Sequence, residues 1–417
     1  MIDLSPMTTN HSIPGREPSG LTRAELLRRS AFATGVVTAG GLLAACSGGG
    51  GGAAAASIPS ADRAPVASSW QISNWPHFID TDSDGTHPTL TAFDSHYATT
   101  TAYTEDVTSN EAAATKYAQT LADGKDIGLD AIVLSDWMAY QWIHAGYAQR
   151  LDPALLPHVN SLRIPPLRRR PIDPHDEFLI PWQAGLTGVI YDPAKTNGEL
   201  SRLNDLFDPL FPGKITLLDN MRDTLGLVLM AMHVAPESAS PDEAKAAADR
   251  IRTELVEPGK VLRFAGGDYV DDLVQGKAAA AFGWSTDYER LVEAKPDLLF
   301  MIPNEGMLIW SDDILIPVAA QHPQNAHRFA DYYYTPNTAA ELTRAVRYTT
   351  PLAGTKSALT RAHPTDPLLT DDVTSPMQRV ARLIFLQGRA LKLAHVFRGL
   401  TPAQENQFTD IFATAKG

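Results

Sequence analysis

A chain of 417 residues, 44 % hydrophobic and 20 % charged, is long enough for two well-buried cores and has the composition of a globular protein. Its formal net charge of −13 argues against nucleic acid and anionic membrane surfaces as partners, since phosphate binding needs a basic patch. The one cysteine, Cys46, excludes an intramolecular disulfide, a thiolate zinc site and a CxxC redox pair.

Residues 1–27 are polar and rich in Pro, Ser, Thr and Gly. Arg28 and Arg29 follow, then 15 uncharged residues from Ala31 to Ala45. That run is short for a membrane span and suits the apolar region of a signal peptide. It ends in Leu43-Ala44-Ala45-Cys46, which resembles the bacterial lipobox, where the peptide is cut before the Cys and the thiol is lipidated. Arg28-Arg29 with Phe32 resembles a twin-arginine export signal, with the aromatic one residue late, and also fits a plain basic n-region. Residues 46–65, beginning Ser-Gly-Gly after Cys46, read as a flexible tether. The expectation is an exported domain anchored through Cys46 at the outer face of the cytoplasmic membrane.

The folded part opens with an alternating strand, Trp70 to Trp75, whose carboxyl end carries Asn74 and Trp75. Asp80 to Gly85 starts like a calcium loop, but Thr91 stands where the bidentate Glu is needed, so an Asp/Ser turn is expected. A helix from Pro88 to Tyr97, an extended run from Thr99 to Val107 and a helix opened by Ser109-Asn110-Glu111 and ended by Gly124 come next. Asp130 to Leu134 is a buried strand leading through Ser135-Asp136-Trp137 into another helix. This β-α-β-α order predicts a mainly parallel sheet. The Pro/Arg-rich stretch Arg163 to Asp176 is read as a solvated loop. Leu179 to Trp182 and Thr187 to Tyr191 are two short strands, with the first crossing between domains near them.

A helix from Leu203, the strand Lys214 to Leu218 and the helix Thr224 to His233 follow, with Asp219 to Asp223 between strand and helix. Ser240-Pro241-Asp242-Glu243 is a capping box for a helix that buries Ala244, Ala247, Ala248 and Ile251. A further helix, Asp268 to Leu273, precedes the Ala-rich strand Lys277 to Phe282, which ends in Gly283-Trp284. Two apolar runs, Leu298 to Ile302 and Ile314 to Ile316, flank a polar, Gly-containing segment that holds Trp310, Asp312 and Asp313. The reading is two short strands joined by a loop. Helices from Ala326 and Thr338 and a helical tail from Ser375, interrupted at Gly388, complete the chain.

One pattern recurs. Trp75, Trp137, Trp284 and Trp310, four of the seven tryptophans, stand at strand ends, as do Asp223 and Asp312. A parallel α/β sheet gathers such ends on one edge, so aromatics and acids from several strands converge there. Aromatic faces beside carboxylates suit an ammonium or guanidinium ligand. A half-buried Trp with solvated Asp neighbours would give the same local pattern.

From Trp70 to Tyr348, and less clearly in the tail, the chain resembles the spermidine/putrescine-binding proteins of ABC importers. The residues that carry the resemblance are Ser73-Asn74-Trp75, Ser109-Asn110-Glu111, Asp130 to Val133 with Ser135, Ile180-Pro181-Trp182, Leu218-Asp219, Arg222-Asp223, Phe282-Gly283-Trp284, Pro303 to Gly306, Trp310-Ser311-Asp312 and Tyr348 before Thr350-Pro351. The resemblance implies a two-lobed periplasmic-binding-protein-like α/β fold, each lobe a mainly parallel sheet flanked by helices, closing on its ligand by hinge motion. Lobe 1 is expected in residues 66–187 with 311–356, and lobe 2 in 188–310 with 357–417, after a signal peptide of 1–45. By the same resemblance Trp75, Phe78, Ser135 and Trp137 line one wall. Trp284, Trp310 and Tyr348 line the other wall or the hinge. Asp312 and Asp223 bind ammonium groups, Asn220 stands where the family often has another acid, and Gln387 supplies a polar contact from the tail. Phe78 lacks the hydroxyl of the family's Tyr, and Asp223 is shorter than the usual Glu, so ligand length stays open.

The implied function is capture of a polyamine for delivery to an ABC permease, by a monomer without cofactor or catalysis. Another cationic or small organic solute is the alternative; a metal is disfavoured, because the His residues are scattered. A secreted hydrolase is the reading from another class: Gly283-Trp284-Ser285-Thr286-Asp287 begins like a nucleophile elbow but lacks its second Gly.

Overall fold

The computed structural model describes residues 67–417. The expected signal peptide, the lipobox with Cys46 and the tether lie outside the described residues.

Ten strands form one mixed sheet. In chain order they are β1 Trp70–Ser73, β2 Thr101–Thr104, β3 Ala131–Ser135, β4 Ile180–Tyr191, β5 Ile215–Leu218, β6 Val261–Ala265, β7 Ala280–Trp284, β8 Leu299–Met301, β9 Met307–Leu315 and β10 Ala394–His395. Their order in space is β2-β1-β3-β9-β4-β7-β5-β6, with β10 on β9 and β8 on β4. The outer strands pair in parallel: β1 with β2 and β3, and β5 with β6 and β7. The two long central strands run antiparallel to their main-path neighbours, β9 against β3 and β4, and β4 against β7, while the short β10 joins β9 in parallel.

Two hydrophobic cores flank this centre. The first packs Ile72, Phe93, Ile132, Trp182, Ile314 and Phe329. The second packs Leu186, Leu217, Val228, Phe282, Ile309 and Phe408. Both β4 and β9 start in one core and finish in the other. The result is the two-lobed α/β architecture expected from the sequence, each lobe built on parallel strands covered by helices.

The long strands correct two expectations. Leu179 to Trp182 and Thr187 to Tyr191 are not separate strands but parts of the continuous β4, buried at every position. The polar segment around Trp310, Asp312 and Asp313 is not a loop but the body of β9. Ser311, Asp312 and Asp313 find their partners, Arg170 and Ser135, far away in sequence, which a local periodicity cannot register. The Pro/Arg-rich stretch is likewise not uniformly solvated, since Arg163 and Arg170 are buried.

Local chemistry explains the element ends. The Asp80 carboxylate, buried, accepts from Thr89 N at 2.9 Å and Thr89 Oγ1 at 3.0 Å, closing the start of the helix Pro88–Tyr97. Gly85 N reaches Asp82 O at 2.9 Å, so the Asp-rich stretch is a turn. The helix Pro241–Ile251 has its capping box in place: Glu243 N donates to Ser240 Oγ at 3.3 Å, and Ser240 N donates to Glu243 Oε2 at 2.7 Å. It buries Ala244, Ala247, Ala248 and Ile251. Replacing Ser240 by Ala is expected to lower unfolding free energy by about 1 kcal/mol, read as a shifted urea midpoint at unchanged slope.

Candidate functional site

A cleft of about 850 Å³ opens between the two cores. The ends of β1, β3, β5 and β7 deliver its walls, because parallel strands present their carboxyl ends on one edge. Trp75 follows β1, Ser135 ends β3, and Asp136 and Trp137 start the next helix. Asn220 and Asp223 follow β5, and Trp284 ends β7. The middle of β9 supplies Leu308, Ile309 and Trp310, and Tyr348 closes one side.

Eight of the eleven residues singled out in the sequence therefore meet on one lining: Trp75, Ser135, Trp137, Asn220, Asp223, Trp284, Trp310 and Tyr348. The other three do not line the cavity. Phe78 is buried behind the wall, with ring centroids 6.4 Å from Trp75 and 4.7 Å from Tyr348, so it braces both rings. Asp312 is fully buried and accepts from Ser135 Oγ at 2.7 Å. Gln387 is exposed in the tail. Ser285, the hydroxyl of the elbow-like stretch, is buried, and its Oγ accepts the Leu186 N–H at 2.9 Å, which ties it to β4.

The aromatic walls are held by hydrogen bonds and by missing side chains. Trp284 Nε1 donates to Asp223 Oδ2 at 2.9 Å, and Thr187 Oγ1 donates to Asp223 Oδ1 at 2.6 Å. Those bonds fix both the ring and the carboxylate at the cleft lining. Trp310 lies over Gly185 of β4, its partner in register. A Cβ at 185 would sit 2.1 Å from Trp310 Cζ2, so only glycine leaves room for the indole. On the opposite wall the guanidinium of Arg222 stands 4.4 Å from the Trp137 ring centroid and pairs with Glu405.

The acids of the floor form an electrostatic cluster. Arg170 binds Asp313 through two hydrogen bonds, of 2.7 and 3.1 Å, and donates to Ser311 Oγ at 2.5 Å. Asp136 lines the cleft beside this pair. Burial, then the charges of Asp313 and Asp312, push its carboxyl up to about 7, against the pull of Arg170 and Arg222. Neither Asp136 nor Arg170 was chosen from the sequence. The sequence signal for Asp136 is its place between Ser135 and Trp137, directly after a buried strand. Arg170 gave none, because its partners are 141 and 143 residues away. Among the described residues no group of three or more His, Cys, Asp or Glu side chains is placed to hold a metal ion.

A family model of bacterial extracellular solute-binding proteins matches residues 83–371. The chain is 26 % identical over 264 residues to spermidine/putrescine-binding periplasmic protein 1 of Haemophilus influenzae, covering 63 % of this chain and 72 % of that protein. It is 28 % identical over 261 residues to the putrescine-binding periplasmic protein SpuD of Pseudomonas aeruginosa, covering 58 % of this chain and 70 % of that one. In fold it is similar to the spermidine/putrescine ABC transporter substrate-binding protein PotD of Streptococcus pneumoniae, with a TM-score of 0.66 and 21 % identity over 84 % of this chain and 99 % of that structure.

Proposed function

Because the chain belongs to the bacterial extracellular solute-binding proteins, we propose that it captures a polyamine in the cleft and hands it to an ABC permease, without chemical conversion. The observation that carries this reading is the lining itself: six aromatic rings, Trp75, Trp137, Trp284, Trp310, Tyr348 and Phe397, interleaved with carboxylates from both walls. Methylene segments pack on ring faces, and ammonium groups donate charge-assisted hydrogen bonds to the acids. Relatives named for spermidine and putrescine support it. In this reading the two cores are lobes, β4 and β9 form the hinge, and closure occludes the ligand. Anchoring of the exported chain through Cys46 would keep it beside the permease.

Titration calorimetry with putrescine, spermidine and spermine tests the reading. Saturable one-to-one binding is expected, with ligand recovered unchanged. Asp223→Asn is expected to weaken it about ten- to hundredfold, the effect of losing one charged hydrogen bond. No heat and no thermal shift with any polyamine would sink the ligand assignment.

Asn220, Arg222 and Arg290, which also line the cleft, favour a second reading: an amine whose far end is uncharged or acidic. Adding 4-aminobutyrate to the titrations separates the two, since it keeps one ammonium and replaces the other by a carboxylate.

A further inference from the structure

We infer that Asp136 is a ligand-contacting carboxylate, the group on the first wall that receives an ammonium of the bound amine. This inference rests on the polyamine reading and adds a named acid to it.

The geometry isolates Asp136 among groups that are already committed. It stands at the start of the helix Asp136–His144, at the end of β3, and faces the cleft. Its hydrogen bond with the protein is long, from Ser311 N to Oδ2 at 3.4 Å. No ion pair reaches it among the described residues. The charged groups around it are Asp312 and Asp313 of β9, Arg170 of the loop before β4, and Arg222 of the helix Met221–Ala231. Arg170 is taken by Asp313 and Ser311. Arg222 is taken by Glu405 and the Trp137 face. Three carboxylates thus share the floor with one fully buried cation. The imbalance attracts either a proton or an incoming cation, and the cleft gives both access to Asp136.

The two compete. Without ligand, Asp136 holds its proton up to about pH 7. An arriving ammonium replaces that proton: the carboxyl O–H breaks, the proton passes to solvent, and the carboxylate accepts the ammonium N–H bonds. Binding then tightens about tenfold per pH unit as pH rises towards 7, and levels off above it.

The test is spermidine titration of the full chain and of its Asp136→Asn variant from pH 5.5 to 8.5, each in two buffers of different ionisation enthalpy. In the native chain proton release should approach one per ligand near pH 6 and vanish near pH 8.5. Asp136→Asn should bind about ten- to hundredfold more weakly at pH 8, with a flat profile and no proton release. Thermal unfolding without ligand gives a second readout. A carboxyl raised in the fold makes stability fall as pH rises from about 4 to 7, because the folded state holds the proton longer. Asp136→Asn should remove that fall.

Spermidine binding that is tight, free of proton release and unaffected by Asp136→Asn overturns the role of Asp136 while leaving the receptor reading intact. The absence of heat from either protein at every pH overturns both. A variant that unfolds at all pH values is replaced by Asp136→Ser, which keeps a small polar side chain in the first turn of the helix after the Ser135 N-cap; wild-type affinity and pH profile in that variant also overturn the assignment.

Discussion

Replacing Arg170 by Gln is expected to lower the unfolding free energy by about 3–5 kcal/mol, the cost of leaving a buried charge without its partner. Arg170 and Asp313 are among the most deeply buried ionised side chains of the structure, with side-chain exposures of 1 % and 0 %. The pair is bidentate, and its third bond fixes Ser311 on the same strand. Gln can keep a hydrogen bond but not the charge. Asp313 would then face Asp312 and Asp136 with nothing to offset it. Urea denaturation measures the loss. The sharper result is a cycle: Arg170→Met with Asp313→Leu, which removes both charges, should recover most of what Arg170→Gln loses. A double variant as unstable as the single one would show that packing, not the uncompensated carboxylate, sets the cost. Because Arg170 also restrains the Asp136 carboxyl, its loss should move the pH midpoint of ligand binding upward.

The same pair shows where sequence reading stops. The strands β3, β5 and β7 are legible as short, largely apolar runs and β1 as an alternating one, and the helix after Ser240 is legible from its cap. The strand-end tryptophans follow from that frame, so most of the cleft lining could be listed in advance. The long strands could not. In β9 the run Trp310-Ser311-Asp312-Asp313 looks like a loop until Ser135 and Arg170 are placed opposite it, 177 and 143 residues away in sequence. β6, with Arg263 in its middle, was not singled out either; that guanidinium binds Asp268 and Asp272 at the sheet edge. Asp136 needed the same long-range information, because an acid at a helix start has an ordinary explanation in the helix dipole. Its neighbours on β9 are what distinguish it.

Gly185→Ala is expected to abolish most ligand binding while leaving the chain folded. Gly185 and Trp310 face each other across β4 and β9, and a methyl at 185 would lie 2.1, 2.5 and 2.7 Å from three atoms of the indole. Real side chains do not approach so closely, and the contact is with a rigid ring rather than a flexible tip. The strand itself accepts alanine, so the indole is what must move. Its displacement narrows or fills the cleft and removes one aromatic wall, a loss of at least about tenfold in affinity for a stacked cation or methylene chain. Tryptophan emission should shift as the ring becomes more exposed, and far-ultraviolet circular dichroism should stay the same. The effect should also be non-additive: Gly185→Ala in a Trp310→Ala background should cost little further, because the ring that collides is gone. If Gly185→Ala binds polyamine as tightly as the native chain, Trp310 is not part of the binding wall, and the cleft's aromatic contribution must come from Trp75, Trp137, Trp284, Tyr348 and Phe397.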